Sequence, residues 1–342
     1  MENFKLTKPI RLVELFAGIG SQAKALKNIG ADFENYKVVE FDKYAIKSYN
    51  AIHGTNFEPL DITQMHADDL EITDTEKYDY ILTYSFPCQS LSVAGKQEGM
   101  AKGSGTRSGL LWEVERLLDE CKELPQVLLM ENVPQVHGKK NIEHFNKWIE
   151  FLESKGYSNY WQDLNAKDFG IPQNRNRCFM ISIRWGQKYN FPKHVKLKLR
   201  LKNMLEDEVN KKYFIKQTEI YPIRKNDITI NSESEIRCMQ IGNCMPLKNR
   251  NNPNQGRVYD INGLSPALTC TGGGNRQPMI VRDYQGEKRI RKFTPKEYFR
   301  LMGFKDEDFE KAEKVNSNTK LYQQAGNSIV VNVLEAIFKK MM

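Results

Sequence analysis

Four side chains of this sequence could together attack and activate a heteroaromatic ring. Cys88, in Phe86-Pro87-Cys88-Gln89, offers a sulfur nucleophile, and Glu131, in Glu131-Asn132-Val133, offers a carboxyl that can give or take a proton. Arg175 and Arg177, in Gln173-Asn174-Arg175-Asn176-Arg177, offer two guanidinium groups. A thiolate adds to an electron-poor ring carbon only if the charge it creates is drained onto ring heteroatoms by a proton donor and fixed cations. Each residue also has a plain structural use, as a buried thiol, a hydrogen-bonded carboxylate or a surface arginine pair. Their joint placement beside successive apolar runs sets them apart.

A second set could hold a nucleotide-like cofactor. Phe16-Ala17-Gly18-Ile19-Gly20-Ser21-Gln22-Ala23 reads as a G-x-G-x-x-A turn, where glycines let a ligand approach the backbone at a helix N-terminus. Such a turn can receive a pyrophosphate or the amino-acid part of S-adenosylmethionine. Glu40 stands twenty positions beyond Gly20, at the end of the next apolar run, where an exposed carboxylate can accept both hydroxyl protons of a ribose. Phe41 beside it could pack on an adenine.

The elements that must position these residues follow from periodicity. Ile10 to Phe16, Tyr36 to Phe41, Tyr78 to Ser85 and Gln126 to Met130 read as short buried strands. Between and after them, Ser21 to Ile29, Lys43 to His53, Gly109 to Cys121 and Ile142 to Ser154 have helical spacing. Strand and helix in turn predict an α/β fold with a doubly wound, mostly parallel sheet, whose ligands sit at the carboxyl ends of the strands. Cys88 and Glu131 both fall at such ends. Tyr157 to Leu164 and Cys178 to Trp185 read as further edge strands, the second placing both arginines just ahead of a strand. The segment Ser90 to Arg107 has the Gly, Ser and Lys content of a loop able to close over a substrate.

Near Trp185 the texture changes. From Gly186 to about Arg291 the chain is rich in Asn, Gly, Pro and Lys, which predicts a second, smaller domain. Lys196, Lys198, Arg200 and Lys202 alternate with Leu197, Leu199 and Leu201. That spacing suits a strand whose cationic face could track phosphates, or a solvated edge strand or extended linker protected by its lysines, which is the favoured reading. After Arg291, Thr294-Pro295 opens a helix through Met302, and Ser328 is expected to cap one running toward Lys340.

Composition bounds the rest. Of 342 residues 40% are hydrophobic and 27% charged, which excludes wholesale disorder, and a net charge of +8 permits a polyanionic partner. Six cysteines, at 88, 121, 178, 238, 244 and 270, form no C-x-x-C pair, so reduced thiols and no metal site are expected. No stretch reaches the roughly 18 apolar residues of a membrane span. The expectation is a cytoplasmic, soluble protein.

The ordered set of motifs resembles that of DNA cytosine-5 methyltransferases over nearly the whole chain. It comprises Val13-Glu14-Leu15-Phe16-Ala17-Gly18-Ile19-Gly20, Phe86-Pro87-Cys88-Gln89, Glu131-Asn132-Val133, Gln173 to Arg177, Arg300-Leu301-Met302-Gly303-Phe304 and Gln324-Ala325-Gly326-Asn327-Ser328. The resemblance implies a Rossmann-like S-adenosylmethionine-dependent fold. Residues 1–185 would form the catalytic domain, 186–291 the target-recognition domain, and 292–342 helices returning to the catalytic domain. It further implies that Gly18 and Gly20 lie against the methionine part of S-adenosylmethionine, that Glu40 and Phe41 hold ribose and adenine, and that Asp61 and Ile62 meet the adenine edge. Phe16, Ile19, Pro87 and Leu110 would line the same pocket, completed by Asn327 and Ser328. Phe41 stands where the family often has Trp, and Ser21 where a third Gly is common.

The implied reaction is attack of Cys88 on carbon 6 of a flipped-out cytosine, with Glu131 at the ring nitrogen and Arg177 and Arg175 at the ring carbonyl, followed by methylation of carbon 5. Gln89 and Ser92 of the loop, with Thr269, Arg276, Gln277 and Arg257 of the recognition domain, are the expected contacts to double-stranded DNA, reading bases or binding phosphates. The protein is expected to act as a monomer. Two other readings use the same residues: a transfer-RNA cytosine methyltransferase, and a DNA-binding repressor with a vestigial frame. Retention of Cys88, Glu131 and both arginines argues against the repressor.

Overall fold

The computed structural model describes residues 4–91, 98–223, 236–245, 253–270 and 276–342. The first half runs β1 (Ile10–Leu15), α1 (Ser21–Asn28), β2 (Phe33–Val39), α2 (Lys43–His53), β3 (Asp79–Tyr84), α3 (Leu111–Glu120), β4 (Val127–Asn132), α4 (Ile142–Ser154) and β5 (Tyr157–Asn165). There follow β6 (Gln173–Asn174), β7 (Asn176–Arg184), β8 (Gln240–Asn243), β9 (Arg257–Tyr259), β10 (Ser265–Pro266), β11 (Met279–Tyr284) and β12 (Glu287–Lys292). Four helices close the chain: α5 (Pro295–Leu301), α6 (Asp306–Glu313), α7 (Asn318–Asn327) and α8 (Val331–Phe338).

The chain forms two compact units. The first comprises Met1–Leu164, Asn176–Lys193 and Val333–Met342, the second Asn165–Arg175 and His194–Asn332. In the first, a six-stranded sheet has the order β2-β1-β3-β4-β7-β5. Strands β1 to β4 pair in parallel and β7 runs antiparallel to β4. All six residues of β3 and of β4 are buried, as expected of central parallel strands covered on both faces. Helix α4 supplies part of that cover through Phe145, Trp148 and Leu152 on one face, and Trp148 Nε1 donates to Tyr84 Oη at 3.0 Å.

Register decides where the functional residues emerge. Leu15 is level with Val39 on one side and Tyr84 on the other, and Tyr84 is level with Met130. The residues just past these positions therefore share one edge: the glycine turn after β1, Glu40 and Phe41 after β2, Cys88 after β3, and Glu131 at the end of β4. Antiparallel β7 begins at that same edge, with Cys178 opposite Asn132.

Element boundaries shift from expectation in ways that bear on the site. Strand β2 stops at Val39, leaving Glu40 and Phe41 outside it. Strand β4 continues through Asn132, and β7 starts at Asn176, so Glu131 and Arg177 are ladder residues with fixed direction. Ser328 does not open the last helix. It is the C-cap of α7, its hydroxyl donating to Gln324 O at 2.8 Å. The alternating Lys-Leu run forms no strand: Leu197 is half-buried and Leu199 is 37% exposed, so residues 196–200 have the extended-linker character, while Leu201 is fully buried where the run ends in a short turn, Leu201–Met204.

The second unit holds a four-stranded sheet, β12-β11-β9-β8, a two-stranded pair, β10-β6, and helices α5 to α7. Helix α5 opens with a capping box between Thr294 and Glu297 and with Pro295 in its first turn. Glu297 is fully buried. It accepts from Arg291 Nη2 at 2.6 Å and Nη1 at 2.9 Å, and also from the N–H groups of Thr294 and Glu206, so the desolvated charge is fully engaged. The compact units divide the chain differently from the motif-based scheme. Segment 165–175 and helices α5 to α7 cluster with 194–291, because Gln173 and Arg175 are bonded to carbonyls of that unit.

Candidate active site

The turn after β1 is a left-handed sequence of backbone conformations. Phe16, Gly18 and Gly20 have φ of 59°, 58° and 78°. At Gly20 a Cβ would lie 2.3 Å from His53 Nε2 and 2.6 Å from Tyr49 Cε2, so this position tolerates no side chain. At Gly18 a Cβ would meet nothing within 4 Å, which leaves open space over the turn. His53 Nε2 lies 3.0 Å from Ile19 O and holds the turn from α2. The Ile19 side chain is in the core, so this predicted residue could meet a ligand only through its backbone.

Glu40 is not the exposed strand-end carboxylate that its sequence position suggests. Its Oε2 accepts from the Gly18 N–H at 3.0 Å and its Oε1 from the Asp42 N–H at 2.9 Å. Burial pushes its carboxyl above the usual range, and these N–H donors pull it back. Each carboxylate oxygen retains a second lone pair. Beside it Phe41 is 70% exposed, an aromatic side chain left largely open among the described residues. Asp61 is exposed and caps a short turn, its Oδ1 accepting from Thr63 N and Oγ1 at 3.0 and 2.9 Å, while the Ile62 side chain is buried. A largely exposed aromatic ring, an adjacent braced carboxylate and open space over Gly18 fit an adenosine-bearing cofactor such as S-adenosylmethionine. Phe16, Pro87 and Leu110 are half-buried in the same unit.

The segment carrying Cys88 is held on several sides. Asn132 Nδ2 donates to Phe86 O at 2.9 Å, Ser108 Oγ to Pro87 O at 2.6 Å, and Leu91 N to Cys88 O at 3.0 Å. Arg107 Nη1 reaches the exposed Gln89 at 2.8 Å. Cys88 itself is half-buried. The Asn132 bond ties the cysteine segment to the strand that carries Glu131. Ser108 and Arg107 were invisible as site residues in the sequence, where they are two polar positions in a Gly- and Ser-rich loop; only their tertiary partners give them a role.

Glu131 is 8% exposed, and Arg177 Nε lies 3.2 Å from its Oε1. The pair follows from register: Glu131 is opposite Phe179, so Arg177 is its diagonal neighbour across the antiparallel ladder. Arg177 also donates from Nη1 to Asn176 O at 2.8 Å. The two arginines, expected to act together, do not. Arg175 is buried at 4% exposure, and its guanidinium donates to the carbonyls of Leu268, Gly326 and Ser328 at 2.8, 3.1 and 2.9 Å. These three bonds engage Nη1 and Nη2 with backbone of its own unit, and this geometry gives no support to a contact of Arg175 with a ring carbonyl.

Among the expected DNA contacts, Gln89, Thr269 and Arg276 are exposed. Arg257 is half-buried with Nε donating to Pro253 O at 3.2 Å. Gln277 is 8% exposed, against the expectation of a side chain presented to DNA. Ser92 and the glycines at 272, 273 and 274 lie outside the described residues. Asn327 and Ser328 belong to the second unit, where Asn327 Oδ1 accepts from the Cys270 thiol. Among the described residues, no helix is long and apolar enough to cross a membrane.

Comparison with known proteins sets this geometry in context. The sequence model for C-5 cytosine-specific DNA methylases matches residues 10–342. The type II methyltransferase M2.ScrFI of Lactococcus lactis subsp. cremoris is 35% identical, over 97% of this chain and 99% of that one. The orphan methyltransferase M.SssI of Spiroplasma monobiae is 34% identical, over 98% and 97%. Among solved structures, the Entamoeba histolytica methyltransferase EhMeth superposes with a TM-score of 0.72 at 16% identity, covering 98% of each chain. The S. pombe Dnmt2 methyltransferase gives 0.69 at 21% identity, covering 96% of this chain and 97% of that one. At those identities the two structures speak for the fold.

Proposed function

The chain belongs to the C-5 cytosine-specific DNA methylase family, and from that premise we propose which of its residues carry each part of the reaction. It is an S-adenosylmethionine-dependent DNA cytosine-5 methyltransferase. When bound, the cofactor supplies an electrophilic methyl group. The turn Phe16 to Gly20 would hold its amino-acid part, Glu40 its ribose hydroxyls, and Phe41 its adenine face, with Asp61 and Ile62 at the adenine edge. Asn327 and Ser328 are assigned to the cofactor by family resemblance alone.

Carbon 5 of cytosine is a weak nucleophile. Addition of the Cys88 thiolate to carbon 6 converts the ring to an enamine, which makes carbon 5 nucleophilic toward methyl. Glu131 donates its proton, or a hydrogen bond, to the ring nitrogen beside the amino group, and Arg177 neutralises the carboxylate and reaches for the ring carbonyl. After methylation the proton on carbon 5 leaves to a base, the carbon–sulfur electron pair returns to Cys88, and aromaticity is restored. A stacked cytosine offers no access to carbon 6, so the base leaves the duplex; the segment from Gln89 to Arg107, of which 92–97 lie outside the described residues, is assigned as its cover from its sequence. Gly186 to Arg291 is proposed to recognise the target in double-stranded DNA, with Thr269, Arg276 and Arg257 as its contacts.

The observation that carries this reading is the single sheet edge on which Cys88, Glu131 and the glycine turn emerge, with Asn132 bonded to Phe86 O across it. The test is to express the chain in a methylation-free host and sequence its DNA after bisulfite treatment. Protected cytosines within one short sequence support the proposal. Unprotected DNA together with modified transfer RNA would replace it with the RNA reading.

A further inference from the structure

Gln173 and Arg175 are buried polar side chains that the reaction does not use, and both point at one residue. Gln173 is 0% exposed. Its Oε1 accepts from Leu268 N at 2.9 Å and its Nε2 donates to Leu301 O at 2.7 Å. Arg175 Nη1 donates to Leu268 O at 2.8 Å, so the N–H and the C=O of Leu268 are each taken by a different buried side chain. Through Nη2 the same guanidinium holds Gly326 O and Ser328 O at the end of α7. The pairing of β6 with β10, Gln173 level with Ser265 and Asn174 level with Pro266, brings the two stretches into this register.

The residues after Leu268 are gripped from the other side. A Cβ on Gly326 would lie 2.6 Å from the carbonyl carbon and oxygen of Thr269 and 2.7 Å from Cys270 N, so the helix backbone sits directly on that peptide. Cys270 donates its thiol to Asn327 Oδ1. Yet the Thr269 side chain is exposed. The backbone of Leu268 is thus fixed by two buried side chains, the Thr269–Cys270 peptide is packed against Gly326, and Cys270 is tied through its exposed thiol, while the Thr269 side chain faces solvent. That is how a contact residue is held at a defined position and direction. A merely packed turn needs neither a buried guanidinium nor a buried amide. Lys could not replace Arg175, since one ammonium cannot span three carbonyls in the fixed fork of a guanidinium.

We infer that Gln173, Arg175 and Gly326 are positioning residues for target recognition, fixing the Leu268–Cys270 backbone so that Thr269 meets DNA in one orientation. The inference rests on the reading of Thr269 as a DNA contact. The experiment uses the full-length enzyme and a plasmid library that carries the target site, defined by bisulfite sequencing, with every single-base-pair variant of it. Methylation rates give the ratio of kcat/KM at the target to kcat/KM at variant sites, and calorimetry gives the S-adenosylmethionine Kd. Gln173→Met keeps volume but loses both bonds, and it touches no proposed cofactor contact. The ratio should fall by about tenfold, a large part of what one base pair usually contributes, with the cofactor Kd unchanged. A purely structural role lowers the amount of active enzyme and scales all sites together, leaving the ratio where it was. That result would overturn the inference. If Gln173→Met does not yield folded protein, Gly326→Ala decides by the same ratio. Thr269→Ala separates the two levels of the argument. If it alters neither DNA affinity nor site preference, the contact reading fails; if it does and the Gln173 and Gly326 variants do not, the positioning role fails.

Discussion

Replacing Glu131 by Gln tests the proposed proton-handling pair most directly. Arg177 Nε and Glu131 Oε1 are 3.2 Å apart, with side chains 18% and 10% exposed. Two unit charges at that distance attract by about 5 kcal/mol at an effective dielectric of about 20, before desolvation is subtracted. Desolvation of two largely buried groups removes much of this, so a double-mutant cycle with Arg177→Ala should give a coupling of roughly 1 to 3 kcal/mol. The catalytic effect is larger. Gln can still offer an N–H to the ring nitrogen but has no proton to transfer, and a positioned general acid contributes about 10²- to 10⁴-fold. The expected result is a kcat lower by on the order of 10²- to 10³-fold, with DNA affinity near that of the parent because phosphate contacts are untouched. Single-turnover transfer of a tritiated methyl group to DNA measures the first, and fluorescence anisotropy with labelled duplex the second. A Glu131→Gln enzyme with a kcat near that of the parent refutes the acid role. Additive effects in the cycle would refute the pair as a unit.

Other consequences can be measured alongside. Cys88→Ser should abolish a denaturant-resistant adduct with duplex containing 5-fluorocytosine, because a hydroxyl is far less ionised than a thiol and the fluorine blocks release after methyl transfer; an adduct that persists would remove Cys88 as nucleophile. Gly18→Ala should cost the fold only the left-handed strain, about 1 to 2 kcal/mol, because nothing lies within 4 Å of the new Cβ, but it should weaken S-adenosylmethionine binding further by occupying its space. Equal losses in stability and in cofactor affinity would contradict that. Glu40→Ala should weaken cofactor binding by about 1.5 to 3 kcal/mol and also loosen the turn, since it removes the acceptor for the Gly18 N–H; unchanged affinity by titration would sink the ribose assignment. Burial pushes the Glu14 carboxyl up from 4.5 to about 7, against the Tyr49 hydroxyl at 2.5 Å. The native state therefore holds one more proton than the unfolded chain between those values. Stability should fall by roughly 3 kcal/mol as pH rises from about 4.5 to about 7 and then level off. Urea titrations across that window should show a flatter profile for Glu14→Gln, and identical profiles would refute the assignment.

Much of this site can be read without a structure, because its chemistry rests on residue type and on period. The runs before Phe16, Phe86 and Glu131 are apolar enough to be strands only if buried on both faces, which forces a parallel sheet and sends the following residues to its carboxyl edge. That reasoning brings Cys88, Glu131 and the glycine turn together and leaves the partners of individual side chains open. Direction is what tertiary structure decided. Arg175 and Arg177 are two residues apart and chemically identical in sequence, yet one turns to three carbonyls of the second unit and the other to Glu131. Glu40, Ser328 and Gln277 were legible as polar positions, and their hydrogen bonds and burial were not. A hydrogen bond between residues far apart in the chain depends on register: Arg177 lies within β7 and meets Glu131 diagonally across the ladder, whereas Arg175 lies just before that strand begins at Asn176. Local periodicity fixes the elements, but only the packed ladder fixes which face each residue presents.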